Sequence, residues 1–308
     1  MNTSLSRRAK PHRINRRQRQ ALYGVVYILP SFLIIFAFSV IPIAMAIYFS
    51  FTKYNLVGAP QWIGLENYVK LASNSYLHAA LRNTVVYVLI TVPCQTIFAL
   101  SIAAFLGDKL QNSFGGMLRS VMFIPVIASL IASATVWRVM YDANGGIINQ
   151  LLGVLGVAPV NWLGSKSTAL PAVAAVAIWK NTGYFLVIYY AGIMNISTEI
   201  REAAIVDGAN GWQRFFRITV PILKPITYMV VTLGIIWSFQ VFDLVFKMTG
   251  GGPGRSTYTV AYVIYTYAFQ DKRIGYACAL AVCLLLVILV IHGVQRLFFK
   301  EKDDAEKA

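Results

Sequence analysis

Residues 197–221 read STEIREAAIVDGANGWQRFFRITVP, a polar stretch set between two long apolar runs. Its local chemistry predicts two short helices around a turn. Ser197 or Thr198 can cap the first helix, and Glu199 and Glu202 sit in its opening turns, where the helix dipole favours acid. Gly208 and Gly211 supply the break. In the second helix Trp212, Phe215, Phe216 and Thr219 fall on one face, and Gln213, Arg214 and Arg217 on the other. Pro221 then opens the next apolar run. On pattern alone this segment is equally an amphipathic hairpin lying on a membrane with no partner.

Outward from it, six apolar segments emerge at about 22–50, 83–106, 118–140, 170–194, 225–246 and 275–298. About 20 residues at 1.5 Å each cross the hydrocarbon of a bilayer, so each reads as a spanning helix. No charged residue occurs between Arg19 and Lys53, or between Arg273 and Arg296. Only 13% of the 308 residues are charged, against about a quarter in soluble domains. Pro42, Pro93 and Pro125 mark kinks that a helical bundle tolerates. Ala44-Met45-Ala46 mimics a signal-cleavage site, but the uncharged stretch from Gln20 to Thr52 far exceeds a signal's apolar core of about 7–15 residues. It reads as an uncleaved span. A polar loop, Lys53 to Leu81, joins the first two spans.

The net charge of +15 is distributed for a membrane and not for nucleic acid. Arg7, Arg8, Lys10, Arg13, Arg16, Arg17 and Arg19 crowd the tail before the first apolar run, the placement of a cytoplasmic anchor beside anionic lipid. With that tail inside, 17 basic residues face the cytoplasm and nine face out, and Lys180 lies within a span. Both termini are therefore expected in the cytoplasm, which requires an even number of spans. The expected organisation is a basic tail over 1–20, one membrane domain over 21–299 with a cytoplasmic loop at 196–221, and a charged tail over 300–308. Cys94, Cys278 and Cys283 read as small buried hydrophobes. His12, His78 and His292 are scattered, so neither a metal site nor a catalytic cluster is expected.

Glu202-Ala203-Ala204-x-x-Asp207-Gly208-Ala209, followed by Phe215, Ile218 and Pro221, resembles the EAA loop of binding-protein-dependent ABC importers of the maltose, lactose and glycerol-3-phosphate type. Val220 departs from the leucine that usually precedes the proline. Thr249-Gly250-Gly251-Gly252-Pro253, then Ala261-Tyr262 to Phe269 and Gly275-Tyr276-Ala277, is similar to an outer loop and last-helix entry of the same group. Gly64-Leu65-Glu66-Asn67-Tyr68 is similar to its G-x-x-N-(F/Y) element.

The resemblance implies an all-α, six-span type I ABC importer permease in the bacterial inner membrane. Its implied partners are a second homologous permease, two ABC ATPases and an extracytoplasmic sugar-binding protein. The first loop helix would dock on the ATPase, with Glu202 near a basic group, Ala203 and Ala204 permitting close approach, Gly208 setting the bend, and Asp207 and Ala209 completing the coupling motif. Gly164-Ser165-Lys166-Ser167-Thr168 lacks the Gly-Lys pair of a phosphate loop, so ATP and Mg would be used by the partner ATPase and no cofactor is expected on this chain. By analogy, the substrate path would involve Asn181 and Tyr184, then Leu233, Ile236, Trp237 and Gln240. Lys180 lies within the fourth span and either borders that path or snorkels to the surface. Asp243 either pairs with Lys180 or borders the path. An ion-coupled secondary carrier, which would need no ATPase, is the rival; it more often carries paired intramembrane acids.

Overall fold

The computed structural model describes the chain over residues 16–305 and its side chains over 23–297. Arg7, Arg8, Lys10 and Arg13 of the basic tail lie outside the described residues. The chain divides into two compact units, Met1–Tyr48 and Phe49–Ala308.

In the first unit, α1 (Arg16–Ile35) passes through a π turn at Phe36–Val40 into α2 (Ile41–Ser50), which carries the chain on into the second. The apolar stretch Tyr23–Ser50 covers 28 residues, about 42 Å of helix. Nearly all its side chains are exposed, an apolar surface suited to lipid.

The second unit opens with a two-residue antiparallel pair, β1 (Thr52–Lys53) with β2 (Gln61–Trp62). There follow α3 (Glu66–Ala72), α4 (Ser75–Lys109), α5 (Ser113–Ile127), α6 (Leu130–Met140), α7 (Ile147–Val154) and α8 (Ala169–Met194). The loop supplies α9 (Thr198–Val206), α10 (Gly211–Arg214), a π turn at Phe215–Thr219 and α11 (Val220–Ile222). Last come α12 (Lys224–Phe239), α13 (Asp243–Met248), α14 (Val260–Tyr265) and α15 (Ile274–Ala305).

Four helices are each long and apolar enough to cross a membrane: Tyr23–Ser50, Ser75–Lys109, Ala169–Met194 and Ile274–Leu297. Two bent pairs are further candidates and bring the number to as many as six if each pair is one span. The third segment is broken by 98° between α5 and α6. Ala128 and Ser129 are extended there, and the Ser129 hydroxyl caps α6 by accepting from the Ala132 N–H. The loop's second helix meets α12 at 71°. That fifth span ends at Phe239, short of the expected 246, because Gln240 and Val241 interrupt the helix before α13. The second span starts eight residues earlier than expected, at Ser75, because the Asn74 side chain accepts from the Tyr76 and Leu77 N–H groups. The last helix likewise runs beyond 298, through Ala305.

The core forms where α4 meets α8. Ala99, Ala103 and Leu106 pack on Phe185, Leu186, Tyr189 and Ile193, with Leu223 and Val230 closing the layer. Small residues bring the helices together: a Cβ on Gly192 would lie 2.1 Å from Ile226 Cδ1. Hydroxyls then bond across the spans, Thr91 with Ser238 at 2.9 Å and Tyr189 to Thr227 at 3.1 Å. In lipid-facing bundles such bonds contribute about 0.6 kcal/mol each.

Candidate functional site

The loop is closed by backbone geometry at its turn. After α9, Gly208 takes φ +73°, which suits a residue without a Cβ. Its N–H donates to the Ile205 carbonyl (3.0 Å) and that of Ala209 to the Ala204 carbonyl (2.9 Å), the paired bonds of a Schellman end. Gly211, expected in the break, is instead the first residue of α10. There Asn210 and Gln213 form a reciprocal capping box, at 2.9 Å and 2.8 Å. Ser197 occupies the cap position of α9 but makes no side-chain cap bond. The loop is tied to the fourth span from the other side, because the Arg201 guanidinium donates to the Ile193 carbonyl near the end of α8.

The second helix passes from α10 into a π turn at Phe215–Thr219. Trp212 stacks on Phe216 at 5.7 Å, with Phe215 edge-on to Phe216 at 4.8 Å. Arg214, expected on the face opposite the aromatics with Gln213 and Arg217, pairs with Asp108 of α4 at 3.3 Å. Behind the loop lies a cavity of about 450 Å³, lined by Phe105, Asp108, Ala204, Trp212, Arg214 and Phe215 among others. Of the expected coupling residues, Glu202, Ala203, Asp207 and Gly208 are exposed, Ala209 is half-buried and Ala204 is buried against the bundle. Among the described residues Glu202 takes part in no ion pair. The sequence reading missed Val206, which is 86% exposed at the end of α9, and placed Trp212, 74% exposed on α10, only on the aromatic face of the second helix. Hydrophobic side chains at the end of a short polar helix were the signal.

In the bundle, Tyr184 of α8 and Trp237 of α12 come together with ring centres 5.1 Å apart, and Trp237 also stacks on Phe185 at 5.4 Å. Leu233 and Ile236 are half-buried on α12, and Gln240 is exposed at its end. Asn181 donates to the Gln95 Oε1 at 3.1 Å. Gln95 of α4 is fully buried, and its Nε2 has no hydrogen-bond partner among the described residues. The sequence reading missed it, although a glutamine in the middle of an apolar run is the same signal that picked out Asn181. Lys180 and Asp243 are not brought together. Asp243 lies half-buried in the first turn of α13, and the Lys180 ammonium donates to the carbonyls of Pro125 (2.6 Å), Val126 (3.3 Å) and Ala128.

Two other motifs meet at the bundle end opposite the loop. The Asn67 amide donates to the Ser50 carbonyl (2.8 Å) and the Thr52 carbonyl (3.0 Å), and a Cβ on Gly275 would lie 2.0 Å from the Thr52 oxygen.

The fold and the chain both have known counterparts. The structure overlays a bacterial ABC transporter involved in import of the acidic polysaccharide alginate with a TM-score of 0.81, covering 92% of this chain and 96% of that one at 21% identity. The same alginate transporter in complex with its pentasaccharide-bound periplasmic protein overlays with a TM-score of 0.78, at 22% identity over 91% and 93% of the two chains. The probable ABC transporter permease protein YurN of Bacillus subtilis is 34% identical over 89% of this chain and 95% of its own. The trehalose/maltose transport system permease protein MalF of Thermococcus litoralis is 32% identical over 89% of this chain and 93% of its own. A family model described as the binding-protein-dependent transport system inner membrane component matches residues 9–303. With that match over the loop, the bundle and the broken spans alike, the chain belongs to this family of ABC importer permease subunits.

Proposed function

We propose that this chain forms half of the translocation path for a carbohydrate and couples it to a separate ATPase through the 197–221 loop. The observation that carries the reading is the α9 tip, where Glu202, Ala203, Asp207 and Gly208 are exposed together with Val206. An exposed ion pair at Glu202 contributes only about 0–1 kcal/mol, so shape and apolar contact around Val206 and Trp212 dominate docking. Ala204 and Ala209 pack behind the tip and set its distance from the bundle.

The substrate class follows from the relatives named for trehalose and maltose, for arabinooligosaccharides and for sulfoquinovosyl glycerol. Asn181, Tyr184, Leu233, Ile236, Trp237, Gln240 and Asp243 border the path, joined by Gln95. Tyr184 and Trp237 offer flat apolar faces with polar edges, which suit the C–H surfaces and hydroxyls of a sugar. The assembly would hold a second homologous permease, two ATPases that use ATP and Mg, and an extracytoplasmic binding protein. The chain would lie in the inner membrane with both termini in the cytoplasm, its tails at 1–20 and 300–308 flanking the membrane domain. ATP-driven closure of the ATPases would swing the bundles between inward-open and outward-open states.

The test is Glu202→Lys in the importer reconstituted in proteoliposomes, assayed with a panel of labelled oligosaccharides. The variant is expected to insert and fold normally while uptake is lost. Normal uptake by that variant would overturn the coupling role, and wild-type transport without any ATPase would overturn the importer reading itself.

A further inference from the structure

The third apolar segment is broken between α5 and α6, and a broken helix leaves its last carbonyls without partners. In hydrocarbon each such group costs several kcal/mol unless something protein-borne meets it. At the end of α5 the partner is Lys180, whose ammonium donates to the Pro125, Val126 and Ala128 carbonyls. A cation at a helix C-terminus also meets the negative end of the helix dipole. Lys180 is only 8% exposed, which does not fit a side chain snorkelling to the surface.

The attachment has two further parts. One turn along α8, Gly183 lets α5 approach so closely that a Cβ there would lie 2.0 Å from the Met122 carbonyl oxygen. At the middle of α5, the Arg119 guanidinium sits 3.9 Å over the Tyr190 ring of α8. So the second half of α5 is held to α8, and the chain turns by 98° into α6 immediately beyond the carbonyls that the lysine meets. Helix α8 also leads almost directly into α9, and Lys180 lies about 21 Å up the helix from its end at Met194.

We propose that Lys180 is a positioning residue that fastens the break in the third span to the fourth, so that movement of the 197–221 loop is passed through α8 to α6. This rests on the coupling reading for its transport readout, and a distance measurement tests the attachment independently of it. In a background with Cys94, Cys278 and Cys283 replaced, spin labels at Ile131→Cys on α6 and Val187→Cys on α8 report the joint; both positions are exposed. The expected parent signal is one narrow distance distribution. Lys180→Met keeps most of the length of the side chain and removes the charge, and is expected to broaden it. Gly183→Ala, which leaves the charge in place and forces α5 away, should do the same.

In proteoliposomes the methionine variant should lower the maximal uptake rate about tenfold, since it removes charge-assisted bonds, with half-saturation changed less than twofold. Lys180→Arg, which restores the charge and the donors, should recover most of that rate. A parent-like distribution in Lys180→Met overturns the proposal, as does a raised half-saturation with the maximal rate kept, which would put the ammonium on the substrate. If Lys180→Met does not accumulate, Gly183→Ala decides by the same distance measurement: broadening supports the attachment and an unchanged distribution overturns it. Should the wild-type complex fail to transport sugars while the labels behave as expected, the coupling reading fails and the attachment stands.

Discussion

The two ends of the bundle in the second unit are built on opposite principles. At the end away from the loop, asparagines knit distant segments together. Asn67 holds the carbonyls of Ser50 and Thr52, Asn74 donates to the hydroxyls of Tyr267 and Tyr276, and Asn83 to the carbonyls of Arg255 and Tyr258. Asn149 ties the Ala143 and Val160 carbonyls to the Val160 N–H and the Trp162 ring nitrogen. At the loop end, apolar side chains stand exposed and one ion pair, Arg214 with Asp108, joins the second loop helix to α4. Apolar side chains are exposed at the far end as well, Val57 and Val154 among them, so the contrast lies in the polar ties between segments and not in apolar exposure. The loop end, with Val206 and Trp212 unburied, is the one we propose meets another subunit.

That contrast can be broken by experiment. The largest effect is expected from Val206→Asp, which should cut uptake at least tenfold by placing a carboxylate in an apolar contact, with the melting temperature unchanged. A lowered melting temperature there would mean the tip already packs within this chain. Next, Asn149→Ala should cost about 3 kcal/mol in a thermal or denaturant melt, since it strands several buried donors and acceptors. Little change in that melt would show water replacing the amide and the far end to be less self-contained.

Gly208→Val forces a branched residue to φ +73° and should cost about 1–2 kcal/mol locally. Faster hydrogen exchange at the Gly208 and Ala209 N–H groups is the readout, without global unfolding. Asp108→Asn should be smallest, at about 0.5 kcal/mol, because the pair is half-exposed. A loss above about 2 kcal/mol would make the loop as firmly held as the far end.

Much of this architecture was legible in the residues because the bilayer imposes one requirement, length without charge, on each span. The loop was legible because caps and turns are local: Gly208 and the acidic start of α9 announce themselves. Other features were not. Gly211 read as part of the break until the Asn210–Gln213 capping box made it the start of a helix, although that N-x-x-Q signature was present. Arg214 read as one of three polar residues on the face opposite the aromatics, and nothing in that spacing announces its pairing with Asp108 across 106 positions of chain. The residues of the proposed path were found as isolated polar or aromatic positions, and no spacing rule announces that Gln95 meets Asn181 across 86 positions of chain.

By itself, the sequence determined a membrane protein of six apolar segments and a short cytoplasmic-type loop of coupling form, because burial in lipid and helix capping depend on neighbouring residues. Only the tertiary structure decided that the third segment is broken, that Arg214 pairs with Asp108, and that Lys180 meets the carbonyls freed at the break. Those outcomes depend on which helix ends come to lie against which side chains, and partners brought within about 3 Å by folding leave no mark on the spacing of either segment.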